Sequence, residues 1–244
     1  MIEHSYGSFG SPSAFVDSVL ALNPRVAAFD CDGTLWAGDS GMKFLYWEIE
    51  EGLLSTQATQ AIMRRYDEYL AGKVGEDEMC GEMVQIHRGI SEKRIREFAA
   101  RFSQSNVTPQ FFPEMESLVE KLRHRGCEVW AVSSTNNWVI EESVKKVGIP
   151  ADRVLAVQVA IENGVATDRL GEITSGPGKA RALREVLKAP LDISFGNSMF
   201  DLEMLELARH PFAVNPNDDL RKIAEQRGWP FYQPAIAKLT SSTA

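Results

Sequence analysis

The stretch Val26-Ala27-Ala28-Phe29-Asp30-Cys31-Asp32-Gly33-Thr34-Leu35-Trp36 constrains this chain more than any other. It begins with a short apolar run of the kind that fills a parallel sheet, where both faces of a strand are covered. The run stops at two carboxylates one residue apart, followed by a glycine and a hydroxyl. A turn needs only one acid, so the second points to something positive, or to a reaction, at the strand's carboxyl end. That end is where open α/β sheets place their ligands.

The remaining pattern supplies a sheet around this strand. Ser11-Pro12 followed by Phe15 and Val19-Leu20 predicts a capped helix closed by Asn23-Pro24. From Trp36 to about Gly126 strand-like runs are missing, and apolar spacing predicts helices over Gly41–Glu51, Thr56–Ala71, Asp77–Arg88 and Ser91–Phe102. This block reads as a helical insertion over 37–125 in a core made of 1–36 and 126–244. A helix between Pro113 and Arg125-Gly126 leads into a buried strand, Cys127–Val132, that stops at Ser133-Ser134-Thr135. A helix over Trp138–Val147 is followed by strands Val154–Val159 and Val165–Thr167, joined at Glu162-Asn163-Gly164, where Asn-Gly signals a hairpin. Gly176-Pro177-Gly178-Lys179 opens a helix, Leu191–Phe195 is a strand ending at Gly196-Asn197-Ser198, and Phe200–Ala208 is helical. Phe212–Val214 is a last short strand, a helix ends near Arg227-Gly228, and the tail after Gln233 is expected to be loosely ordered. The fold class is α/β, a three-layer, Rossmann-like parallel sheet with inserted helices.

At 244 residues and 44% hydrophobic content the chain can bury such a core. Its net charge of -8 leaves it without the basic clusters that a nucleic-acid groove or an anionic membrane surface requires, so small solutes are the expected partners. Cys31, Cys80 and Cys127 are odd in number and outside any CxxC pattern, and read as reduced thiols. Cys31 lies between two carboxylates that raise its pKa and make it a poor nucleophile. His4, His87, His124 and His210 share no ligand spacing. Met1–Ser13 has no basic stretch leading into an apolar one and no run is long enough to span a bilayer, so a soluble, cytoplasmic protein is expected.

In a doubly wound sheet the strand ends bring Asp30 and Asp32, Ser133, and Asn197 and Asp201 to one edge, and Lys179 joins them from a helix start. The set suits phosphoryl transfer. It offers a carboxylate nucleophile, a second carboxyl for proton transfer, a hydroxyl and an ammonium for phosphate oxygens, and oxygen ligands for a hard cation. Taken singly, Lys179 is also an ordinary first-turn lysine, Ser133 a helix cap and Asp201 a first-turn acid.

The chain resembles the haloacid dehalogenase superfamily, in its phosphoserine phosphatase-like branch, through four segments in order. These are Asp30-Cys31-Asp32-Gly33-Thr34, Val132-Ser133-Ser134, Lys179, and Gly196-Asn197-Ser198-Met199-Phe200-Asp201. The insertion falls where that branch places its cap. The resemblance implies a magnesium-dependent phosphatase that hydrolyses a small phosphomonoester through an aspartyl-phosphate. Asp30 would attack phosphorus, and Asp32 would protonate the leaving oxygen and then activate water. Ser133 and the Ser134 N–H would hold the phosphate and Lys179 would offset its charge. Magnesium would take Asp30, the Asp32 carbonyl and residue 197, with Asp201 as a ligand or just behind one.

Two departures stand out. Asn197 occupies a position that is usually Asp, and Phe200 one that is Asn in phosphoserine readers. Asp39 lies where phosphoserine phosphatases carry a glutamate that meets the substrate ammonium, so it either binds a cationic ester or simply caps the next helix. Trp36, with Tyr46, Trp47 and Trp138, is expected to wall the pocket unless these aromatics are core. The alternatives are a phosphotransferase using the same intermediate and a non-catalytic binding or regulatory protein on the same fold.

Overall fold

The computed structural model describes residues 7–235, so His4 and the tail from 236 onward lie outside the described residues. Helix α1 (Pro12–Ala21) starts as its sequence demands, with the Ser11 hydroxyl accepting the Ala14 N–H and Pro12 at the first position. It leads into β1 (Val26–Phe29), which is buried at all four positions. Four helices follow, α2 (Ser40–Glu50), α3 (Thr56–Leu70), α4 (Glu76–Gln85) and α5 (Glu92–Phe102). A π-helical turn over Ser103–Val107 then carries the chain to α6 (Pro113–His124).

The βα rhythm continues with β2 (Glu128–Asn136), α7 (Asn137–Val144), β3 (Val154–Val157), β4 (Val159–Glu162) and β5 (Val165–Leu170). It ends with α8 (Pro177–Val186), β6 (Ile193–Gly196), α9 (Leu202–Leu207), β7 (His210–Val214), α10 (Asp218–Arg227) and β8 (Phe231–Tyr232). Six strands form one parallel sheet in the order β3-β2-β1-β6-β7-β8. With the hairpin set aside this is the doubly wound order, and β1 and β6 flank the point where the winding reverses.

The apolar pattern divides at Gln158. Val154–Val157 pairs with β2 in the sheet, whereas Val159 begins the separate β4–β5 hairpin, so the single strand expected over 154–159 is two. The hairpin turn follows the Asn-Gly signal, with Asn163 and Gly164 both at positive φ. Strand β8 was not foreseen. Two residues beside a Gly-Trp-Pro turn carry too short a pattern to read.

Alternation along β1 sets the layers. Ala27 and Phe29 face a cluster built with α1 and α6, while Val26 and Ala28 face another with Leu183 of α8 and Met204 of α9. Phe29 stacks on Phe195 of the neighbouring strand at 4.3 Å between ring centres, and such a pair adds about 0.5–1.5 kcal/mol beyond its buried area. The inserted helices divide as well. Phe44, Val84, Ile95 and Phe102 join the main cluster, while Leu45, Leu54, Ile62, Val74 and Met79 form a smaller one with α3. No helix among the described residues is long and apolar enough to cross a membrane.

Candidate functional site

The site lies at the carboxyl end of β1. Asp30 still belongs to the ladder, donating its N–H to the Phe195 carbonyl at 2.9 Å, and the chain then turns sharply through Gly33 at φ +78. A Cβ at Gly33 would lie 2.0 Å from the Asn197 amide nitrogen, so only glycine lets the loop after β6 close over this turn. Asn215, from the end of β7, donates its amide to the Gly33 carbonyl at 3.1 Å.

Lys179, in the first turn of α8, is the centre of the electrostatics. Its Nζ donates to Asp30 Oδ1 and to Asp201 Oδ1, both at 2.6 Å, while Asp30 Oδ2 accepts the Thr34 hydroxyl at 2.8 Å. The three side chains are 2%, 7% and 1% exposed. Burial, together with the Asp201 charge, pushes the Asp30 carboxyl up to about 7 against the opposing pull of Lys179. Burial by itself would lower the Lys179 pKa, but its two carboxylate partners reverse this and hold the ammonium charged.

Asp32 is gripped from three sides. Its Oδ1 accepts the Trp36 indole N–H and the Ser40 N–H, both at 2.7 Å, and its Oδ2 accepts the Thr135 hydroxyl at 2.8 Å. This corrects the expectation for Trp36, which is 1% exposed and holds Asp32 from behind instead of walling a pocket. Trp138 and Trp47 pack within the apolar cluster, and Tyr46 points outward, half exposed. The Cys31 thiol is pushed up as expected, although burial outweighs the flanking carboxylates as the cause.

Ser133, Ser134, Thr135, Lys179 and Asn197 line the crevice with Asp30 and Asp32. Asp201 lines no part of it. Its Oδ2 accepts the N–H groups of Asn197 and Ser198 at 2.9 and 3.0 Å while Oδ1 holds Lys179, so it fixes the loop and the lysine from behind the crevice lining. Asp30, Asp32 and Asn197 all line this edge and carry oxygen donors. Hard oxygens in a lining that also carries the Asp39 and Glu76 carboxylates and the Lys179 ammonium fit a magnesium-like cation. Among the described residues no cluster of three or more His, Cys, Asp or Glu forms a ready-made cage.

A second cavity, of about 220 Å³, adjoins the crevice and shares Asp39, Tyr69, Glu76, Ser134 and Thr135 with it. Asp39 takes the capping role foreseen for it. Its Oδ1 caps α2 by accepting the Met42 N–H at 2.9 Å, and it also lines both cavities. Burial, with Asp32 next, pushes its carboxyl up to about 6. Tyr69 and Glu76 escaped the sequence reading because they lie on helices whose polar positions look like ordinary solvated faces. Thr135 escaped because it looks like a turn residue.

The family described as haloacid dehalogenase-like hydrolase matches residues 27–206. The chain is 31% identical over 228 residues to an inhibition of morphological differentiation protein of Streptomyces azureus, covering 88% of this chain and 82% of that protein. It is 27% identical to a histidinol-phosphatase of Neisseria meningitidis, covering 84% of this chain and 97% of the relative. A substrate-bound phosphoserine phosphatase shares the fold at a TM-score of 0.56 and 16% identity, over 82% of this chain and 90% of that one.

Proposed function

From the premise that this chain belongs to the haloacid dehalogenase-like hydrolases and is a phosphatase, we propose a magnesium-dependent enzyme that hydrolyses a small phosphomonoester through an aspartyl-phosphate on Asp30. Helices α2–α5 act as its cap, within an insertion over 37–125 whose last helix, α6, packs on α1 and β2 with the core. The observation that carries the reading is the pairing of a buried, lysine-held carboxylate, Asp30, with a second, three-fold anchored carboxylate two residues later.

In the first half-reaction an Asp30 oxygen attacks phosphorus, the ester P–O bond breaks, and the departing alkoxide takes the proton of Asp32. In the second, water attacks the phosphorus of the acyl-phosphate, Asp32 receives its proton, and phosphate leaves with Asp30 restored. Thr34 and Lys179 orient the nucleophile. Trp36, the Ser40 N–H and Thr135 keep Asp32 on the leaving-group side. Ser133, the Ser134 N–H and Lys179 hold the phosphate oxygens. Asp30, the Asp32 carbonyl and Asn197 would hold magnesium, which would supply positive charge to a phosphate that the surrounding carboxylates would otherwise repel.

Asp30→Asn tests this. The amide keeps the shape but cannot form the acyl-phosphate, so turnover of phosphomonoesters with magnesium should disappear into assay background. Beryllium fluoride with magnesium should raise the melting temperature of the wild type and leave the mutant unchanged. Substantial activity left in Asp30→Asn would remove the nucleophile assignment.

A further inference from the structure

The catalytic groups account for the crevice at the sheet edge and leave the adjoining 220 Å³ chamber without a task. Because the two cavities share Asp39, Tyr69, Glu76, Ser134 and Thr135, an ester seated with its phosphorus at Asp30 has this chamber beside it for its alcohol.

Four polar side chains of the chamber are already hydrogen-bonded within the chain. Asp39 Oδ1 accepts the Met42 N–H at 2.9 Å, Glu76 Oε2 the Tyr69 hydroxyl at 2.5 Å and Asn136 Oδ1 the Val139 N–H at 3.0 Å, while the Thr135 hydroxyl donates to Asp32 at 2.8 Å. The rest of the wall is largely apolar and soft. Met42, Met79 and Met83, three of the chain's eight methionines, line it with Val84 and the rings of Tyr66 and Tyr69. Met79 and Met83 lie one turn apart on α4 and so share a face, and Met42 joins them from the first turn of α2. Met42, Met83, Tyr66 and Tyr69 are only half-buried, so folding leaves apolar surface uncovered there.

Covering that surface favours an apolar group, and thioethers add adaptable dispersion and sulfur–ring contacts. A sugar-like alcohol would lose hydration against the same methionines without new partners. Among the described residues lining the chamber none is a lysine, arginine or histidine, so an anionic alcohol finds no counter-charge. An apolar cavity of about 150 Å³ holds a benzene ring. At about 220 Å³ this one takes a ring and a short link to the ester oxygen. Resting on the phosphatase reading above, we infer that the chamber selects phosphomonoesters whose alcohol ends in an apolar ring, with Met42 and Met83 setting the preference.

Three esters of primary alcohols, whose leaving oxygens need the same protonation, test it with magnesium present: 2-phenylethyl phosphate, ethyl phosphate and glucose 6-phosphate. In the wild type the phenyl ester should lead both others in kcat/KM by about tenfold or more, since even one methylene in an apolar pocket is worth about tenfold. Ethyl phosphate or glucose 6-phosphate equal to it or ahead of it overturns the inference. Met42→Gln and Met83→Gln keep the side-chain length and put an amide where the thioether was, so either should cut the phenyl-to-ethyl ratio by about fivefold or more. Circular dichroism melts confirm that the variants fold, and a ratio unmoved in both overturns the inference. Isothermal titration of 3-phenylpropylphosphonate and propylphosphonate, in which a methylene replaces the ester oxygen, into wild-type protein with magnesium separates this from the catalytic reading. Tighter binding of the phenyl compound upholds the chamber's selectivity even if no ester is turned over. Equal binding overturns it even if turnover is brisk.

Discussion

Two acidic regions meet in one crevice, and they differ in where their counter-charge comes from. Asp30 and Asp201 close on a lysine that the chain itself buries between them. Asp39 and Glu76 line the adjoining chamber, and among the described residues that line it none is a lysine, arginine or histidine. The first arrangement is costly to assemble, since each buried ion gives up several kcal/mol of hydration, and it is tolerable only because the charges are paired and hydrogen-bonded before anything binds. It belongs to the part of the reaction that every phosphoester shares. A third acid, Glu48, sharpens the contrast. It is buried on α2 itself with its own partner, His87 Nε2, at 2.8 Å, and lines neither cavity.

Breaking the paired region should have the largest effect. Lys179→Met leaves Asp30 and Asp201 buried without a cation, so the protein should lose about 3–5 kcal/mol in denaturant unfolding and all measurable phosphatase activity. Unfolding at the wild-type midpoint would mean that water or the loop after β6 already shields these carboxylates.

A smaller effect is expected where the crevice depends on an added cation. Asn197 brings an amide where a carboxylate would attract magnesium more strongly. Asn197→Asp should therefore lower the magnesium concentration for half-maximal activity by about tenfold to a hundredfold, equivalent to about 1–3 kcal/mol. Because Asn197 lines the crevice and Asp201 does not, Asn197→Ala should raise the requirement, and a titration unmoved by either change would remove residue 197 from the metal site.

The smallest effect belongs to the pair that lines no cavity. Burial raises the Glu48 pKa, against the pull of His87. Burial lowers that of His87, but the charge and hydrogen bond of Glu48 outweigh it and leave it raised. Above the ordinary glutamate value of 4.5 and through the ordinary histidine value of 6.5, the folded pair therefore holds more proton than the unfolded chain. Its contribution to stability is complete at low pH and is lost as pH rises. Glu48→Gln should cost about 1 kcal/mol near pH 5 and progressively less toward pH 8. Melting curves across that range check the sign, and a gap that widens with pH would reverse the assignment of charge to the pair.

Local sequence determined where the residues proposed to react lie. Asp30 and Asp32 end a run too apolar to be anything but a buried strand, and Ser133 and Asn197 end or follow similar runs, so a parallel sheet with one active edge brings them together whatever its side-chain detail. Local sequence also marked Asp39, through its cap position. It could not show what stands around these groups, because periodicity reports which face of an element is buried and not what that face meets. Trp36 reads as a pocket aromatic until the turn at Gly33 folds its indole back onto Asp32. Thr135 gains its role because β2 runs on to Asn136 beside β1. Tyr69 and Glu76 are polar residues on two amphipathic helices, and only the packing of α3 on α4 joins them as a fixed pair at a chamber wall. The reacting groups are carried by strand ends, whose position follows from sheet topology. The chamber's Tyr69 and Glu76 are carried by helix faces, whose neighbours are decided by long-range packing.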